Sequence, residues 1–91
     1  MEILRVDRRP WGSMLKVIHT RRMWIKIIKV HGRTSLQSHN HRTEYHFSIR
    51  GIKKVMSKEI HRMEKGLYLE LAIGYPEEND IHRYEDDYGR A

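Results

Sequence analysis

The residue types best suited to chemistry lie in one short stretch, Ser35-Leu36-Gln37-Ser38-His39-Asn40-His41-Arg42-Thr43-Glu44. His39 and His41 are separated by one residue. In an extended chain, side chains at i and i+2 point to the same face, so the two imidazoles could converge on one ion. Glu44 follows after a short bend and could add a carboxylate. A set of two histidines and one carboxylate leaves coordination positions open for water or substrate. Gln37 shares the parity of His39 and His41, so its amide could line the same pocket. The chain has no cysteine, which excludes disulfides and Cys-based zinc sites and leaves histidine, carboxylate and amide as metal ligands. With seven histidines in the chain, the spacing alone also fits a solvated turn carrying two ordinary histidines.

Such a pair needs strands to hold it, and strand signals dominate the sequence. Met23–Val30 is rich in β-branched and aromatic residues, interrupted by Lys26 and Lys29. Residues 44–50 alternate, with Tyr45, Phe47 and Ile49 on one face and Glu44, His46 and Ser48 on the other. Residues 52–57 and 14–18 read as short strands. Residues 67–73 put Leu67, Leu69, Leu71 and Ile73 on one face. Turn signals separate the runs at Pro10-Trp11-Gly12, His31-Gly32, Ser38–Asn40, Arg50-Gly51, Lys65-Gly66 and Gly74-Tyr75-Pro76. No segment carries a long apolar stripe of helical period. Residues 80–88 are expected to form a short helical or 3₁₀ turn. Several short strands at close spacing predict an all-β sandwich or barrel.

The 91 residues suffice for one domain, residues 1–91, with a thin core that a metal or a partner subunit would help stabilise. No stretch approaches a membrane span, and the first residues lack the apolar run of a signal peptide, so a cytoplasmic, soluble protein is expected. Charged residues make up 33% of the chain, above the roughly 25% usual for domains. With only three side-chain amides, Gln37, Asn40 and Asn79, this is a thermophile-like balance. Residues 1–76 carry 16 of the 18 Lys/Arg and 6 of the 12 Asp/Glu, while residues 77–91 carry 2 basic and 6 acidic residues. A basic body suits an anionic ligand. The acidic tail argues against a continuous nucleic-acid groove, and no nucleic-acid motif is present.

The motif His39-Asn40-His41, then Glu44, then Gly51 resembles the first cupin motif. More narrowly, residues 35–44 resemble the S-L-Q-x-H-x-H-R-x-E signature of the cupin domain of bifunctional mannose-6-phosphate isomerases, which is fused there to a mannose-1-phosphate guanylyltransferase. Arg9-Pro10-Trp11-Gly12-Ser13 resembles the opening of that domain, and residues 80–90 (DIHRYEDDYGR) resemble its close. The resemblance implies a minimal cupin β-barrel or jelly-roll with a metal on His39, His41 and Glu44. The second cupin motif is reduced to His61-Arg62-Met63-Glu64, without the preceding proline and glycine. The resemblance also implies that about 20–25 residues, enough for two strands of the usual barrel, are missing between Val55 and His61. His61 is then the expected fourth ligand. Open edges of a shortened barrel invite pairing, so a homodimer that completes the sheet is expected.

The implied activity is interconversion of mannose 6-phosphate and fructose 6-phosphate, helped by one divalent transition metal per chain. Zinc suits the ligand set best, with Mn, Fe, Co and Ni as alternatives. Arg33 and Arg42 flank the histidine pair as phosphate candidates, joined by Arg90 if the tail folds over the pocket, because guanidinium binds phosphate in a bidentate manner. Glu64 and His46 are the candidates for a general base; His46 shares the parity of Glu44 and serves either as a further ligand or as polar lining. The alternative is a non-catalytic cupin that binds a sugar or small anion. Trp11 and Trp24 are expected in the core or an interface rather than stacked on sugar.

Overall fold

The structure, a computed structural model, describes residues 1–90. Where residues alternate between two chemistries, the chain is extended, and eight strands result: β1 Glu2–Arg9, β2 Gly12–His19, β3 Met23–Val30, β4 Leu36–Ser38, β5 Arg42–Ser48, β6 Gly51–Val55, β7 Gly66–Gly74 and β8 His82–Glu85. Six form one antiparallel sheet in the order β1-β2-β3-β7-β5-β6, and β4 pairs with β8 in a separate ribbon. Residues of both sheets line one cavity, so the ribbon closes over the inner face of the large sheet. The fold is a small all-β barrel of the jelly-roll kind.

The register explains what faces that cavity. One inner row runs Lys16, Lys26, Glu70, His46, Lys53 across five strands, and its neighbour runs His19, Trp24, Ala72, Glu44, Val55. An apolar cluster of Trp11, Met14, Ile28, Val30, Met63 and Tyr68 closes one end. Both tryptophans are therefore core residues, Trp24 with no exposed surface at all. The outer face shows the reverse pattern. Val6, Leu15, Ile27, Leu69, Phe47 and Ile52 stand side by side across all six strands. Ile27 remains 41%, Leu69 44%, Val6 63% and Ile52 69% exposed. The inner face mixes buried ions with the apolar cluster while the outer face is largely apolar, so Leu67, Leu69 and Ile73 point away from the core of this chain.

Two segments depart from expectation. Residues 80–88 form no helical turn: His82–Glu85 is β8, paired with β4, and only Asp86–Gly89 turns. Tertiary pairing overrides the weak local signal of so short a segment. Glu2–Arg9, unremarked in the sequence, is a full edge strand. Gly12 has a plain steric role in the first hairpin, because a Cβ there would collide with the backbone carbonyl oxygen of Lys29 on β3.

Candidate metal centre

Strand parity brings Arg42, Glu44 and His46 of β5 to the inner face, all buried. The ribbon delivers the histidines. His39 follows β4 directly. His61 reaches the same place through a bridge with Gln37, whose N–H and C=O both bond its backbone at 2.8 Å. After β6 the chain makes only a tight turn, where the Lys58 N–H donates to the His39 carbonyl at 2.5 Å, before arriving at His61.

His39 Nε2 lies 3.5 Å from Glu44 Oε2, and His61 Nε2 lies 3.5 Å from Glu44 Oε1. The three ligand atoms fall within 4.8 Å of one another. The imidazoles are oriented from behind: His39 Nδ1 donates to the Asp80 carbonyl at 2.7 Å and His61 Nδ1 to the Glu59 carbonyl at 3.2 Å. A carbonyl can only accept, so Nδ1 carries the hydrogen in both rings and each Nε2 presents a lone pair toward Glu44. His61 Nε2 is buried without a hydrogen-bond partner. An orphaned lone pair facing a second imidazole and a carboxylate fits a divalent transition metal. Burial pushes His39 below its ordinary pKa, which keeps it in the ligating form.

His41 does not join this group. The chain leaves β4 at Ser38 and bends at Asn40 and His41, so strand parity no longer applies. Both N–H groups at the bend donate to the Asp80 carboxylate at 2.9 Å, and the His41 side chain is exposed. Glu64 is exposed and lines a second cavity with His46, Arg62 and Tyr68, not the one lined by His39 and Glu44. Arg33 lies on the surface, paired with Asp87 at 2.6 Å. Gln37 lines the main cavity, its Oε1 accepting from Ser35 Oγ at 2.8 Å. Arg90 also lines it, held by Asp86 at 2.7 Å.

Arg42 is the counter-charge of Glu44, with Nε donating to Oε2 at 2.6 Å and Nη1 to the Glu77 carbonyl at 2.9 Å. Its Nη2 lies 3.2 Å from His39 Nε2, so Arg42 and a bound cation would compete for the same two atoms. Burial raises the Glu44 carboxyl, but the His46 hydrogen bond and the Arg42 charge outweigh it and hold the group well below the usual range. Glu70 accepts from Trp24 Nε1 at 2.8 Å. Lys26 stands 3.7 Å over the Trp24 ring and donates to Glu78 at 2.6 Å. Sequence reasoning missed Glu70, although its parity with Tyr68 and Ala72 marks it as inward.

His46 Nε2 lies 2.9 Å from Glu44 and 3.0 Å from Glu70. Burial pushes its pKa down, but hydrogen bonds and charges from the two carboxylates prevail and raise it to about 9. In the metal-free protein a protonated His46 holds the two carboxylates together; deprotonated, it forms with Glu44 and Glu70 a second group whose ligand atoms lie within 4.8 Å of one another. The folded-state value exceeds the unfolded value of about 6.5. This pairing therefore stabilises fully below about pH 6.5 and is lost as pH rises through about 9. Urea unfolding of metal-stripped protein from about pH 6 to about pH 10 should show that decline, and His46→Gln should flatten it.

A family model described as mannose-6-phosphate isomerase C-terminal, a cupin domain, matches residues 2–71. The chain belongs to that family. No curated protein and no solved structure matches the chain. The candidate ligands His39, Glu44 and His61 all lie within the matched residues. No helix among the described residues is long and apolar enough to cross a membrane.

Proposed function

We propose that the chain is a metal-dependent aldose–ketose isomerase acting on mannose 6-phosphate and fructose 6-phosphate. The observation that carries the reading is the pair of oriented imidazoles, His39 and His61, facing Glu44 with one Nε2 left without a partner. These three side chains would hold the metal, zinc being the best match to the donor set. When bound, it supplies Lewis acidity toward the sugar's carbonyl and hydroxyl oxygens. The enclosed part of the surrounding cavity is only about 70 Å³, below the roughly 300–1,000 Å³ of small-molecule sites, so a sugar phosphate would sit largely in its open mouth. Glu78 Oε2, in the cavity lining, accepts no hydrogen bond. Burial raises the Glu78 carboxyl, but Lys26, Lys16 and Arg9 outweigh it and hold the group below its ordinary pKa. It is thus a carboxylate positioned to take a proton moving between C1 and C2, and a weak base for that step.

The test is elemental analysis of untagged protein followed by an isomerase assay. Near one equivalent of transition metal per chain is expected, lost in a His39→Ala/His61→Ala variant and retained in His41→Ala. Glu78→Gln should keep the metal and lose turnover. No metal in the wild type after soaking with Zn²⁺, Mn²⁺, Co²⁺ and Ni²⁺ would sink the mechanism. A non-catalytic cupin that binds a sugar or small anion is the second reading, favoured by the grip of Arg42 on Glu44 and His39. A metal-loaded chain that binds mannose 6-phosphate without converting it would decide for it.

The working unit, in this reading, is a homodimer joined through sheet faces rather than edges. The outermost strands are charged, with Arg5, Asp7, Arg8 and Arg9 on β1 and Lys53 and Lys54 on β6, a pattern that discourages edge pairing. The outer apolar rows leave Val6, Ile27, Ile52, Leu67, Leu69 and Ile73 exposed on one face, and a stable interface takes about 800 Å² from each partner. A second copy offers the matching apolar face by symmetry. Sedimentation should give a dimer for the wild type and a folded monomer for Ile27→Glu/Leu69→Glu. A wild-type monomer at all assay concentrations would refute the face-to-face dimer.

A further inference from the structure

The cations around the cavity lined by His39 and Glu44 are not equivalent. Arg42 is engaged by Glu44, and Lys26 by Glu78. Arg33 is outside, on Asp87. Three arginines remain along the lining, namely Arg9, Arg83 and Arg90. Arg90 is held by Asp86 through two bonds, Nε at 2.7 Å and Nη2 at 3.1 Å. Arg9 reaches Glu78 only at 3.7 Å. Arg83 has no carboxylate within salt-bridge distance among the described residues, and its Nε is buried without a partner.

Backbone pairing fixes where that guanidinium starts. Arg83 of β8 pairs with Gln37 of β4, two residues before His39. Arg83 and the ligand residues His39 and Glu44 line one continuous cavity. A buried N–H donor left unpaired is costly, and one on a cation beside two further arginines is more so. Burial disfavours the charge on Arg83 most, Arg90 and Arg9 add to it, and Asp86 opposes them. Such a cluster is complemented by a group with several anionic oxygens, which can accept from more than one guanidinium at once.

We propose that Arg83, flanked by Arg9 and Arg90, forms the phosphomonoester-binding end of the cavity. The inference rests on the sugar-phosphate reading above and specifies it: the cavity selects a phosphorylated sugar over its neutral counterpart. It also replaces Arg42 and Arg33, the arginines nearest the histidine motif in sequence, with one supplied by the C-terminal ribbon.

The experiment is calorimetric titration of metal-stripped wild type, Arg83→Gln and Arg83→Lys with inorganic phosphate and with mannose 6-phosphate. Metal content and thermal melting are recorded beside it. Arg83→Gln should bind both phosphates about 10- to 100-fold more weakly, as expected for losing hydrogen bonds to a charged group. It should keep its metal-loading capacity. Arg83→Lys should recover part of the affinity, since charge is retained and the bidentate fork lost. If Arg83→Gln does not fold, Arg83→Lys and Arg9→Gln carry the comparison. Unchanged phosphate affinity in folded Arg83 variants would overturn the subsite, as would a wild type that binds no phosphate. Phosphate affinity that depends on Arg83 in a chain showing no isomerase turnover would leave the subsite standing and remove the isomerase reading.

Discussion

Glu44→Ala should destabilise the protein by about 3–5 kcal/mol even after every metal ion has been removed. The side chain is 2% exposed and lies 2.6 Å from Arg42, 2.9 Å from His46 and 3.5 Å from both His39 and His61. Removing it leaves the buried Arg42 guanidinium with only a backbone carbonyl and a histidine nitrogen for partners. His46 would retain Glu70 alone. Breaking a buried pair by deleting one partner is far costlier than breaking a surface pair. Urea unfolding in the presence of a chelator reads this directly. A variant as stable as the wild type under those conditions would mean that Glu44 acts on metal alone. Glu44→Gln should lose stability as well, because the amide keeps volume but not charge.

Gly12→Ala should cost about 4 kcal/mol or more, among the larger effects a single methyl group can have. The methyl would meet the Lys29 carbonyl oxygen and carbon, backbone atoms of the neighbouring strand that cannot swing aside. Relief requires β2 and β3 to separate where Gly12 pairs with Val30, and that junction also holds Trp11, whose carbonyl accepts from His31 and Gly32. For a domain of this size, with total stability of roughly 5–13 kcal/mol, much of the folded margin would be lost. Thermal melting of Gly12→Ala beside Gly51→Ala is the check: at Gly51, φ +117°, a Cβ meets nothing within 4 Å and the substitution carries backbone strain alone, so the further loss in Gly12→Ala reads the clash. Equal melting temperatures would refute the steric account.

Much of this architecture is legible in the sequence because strand period is a strong signal. Met23–Val30 matches β3 end to end, and the runs at residues 44–50, 52–57 and 67–73 match β5, β6 and β7 to within a few residues. The short ribbon is not legible: β4 has three residues and β8 four, too few to show a period, and their pairing is set by tertiary contact. The same limit explains His41. Its parity with His39 holds only in a continuous strand, and the Asp80 carboxylate caps a bend there instead. The importance of Arg83 was hidden for a related reason, since its position depends on a strand the local sequence does not announce. The direction of the leucine face on β7 was equally hidden. A Leu-x-Leu-x-Leu pattern signals one-sided apolarity, but Tyr68, Glu70 and Ala72 on the opposite side are the buried set.

That inside-out sheet has a thermodynamic consequence. Much of the interior is taken by ions whose burial is close to neutral in net free energy, and a large share of the apolar surface lies where only another molecule can cover it. In the face-to-face dimer proposed above, cohesion of the fold becomes partly a second-order quantity. The melting temperature should climb as the protein is concentrated, and dilution alone should act on this chain as a mild denaturant.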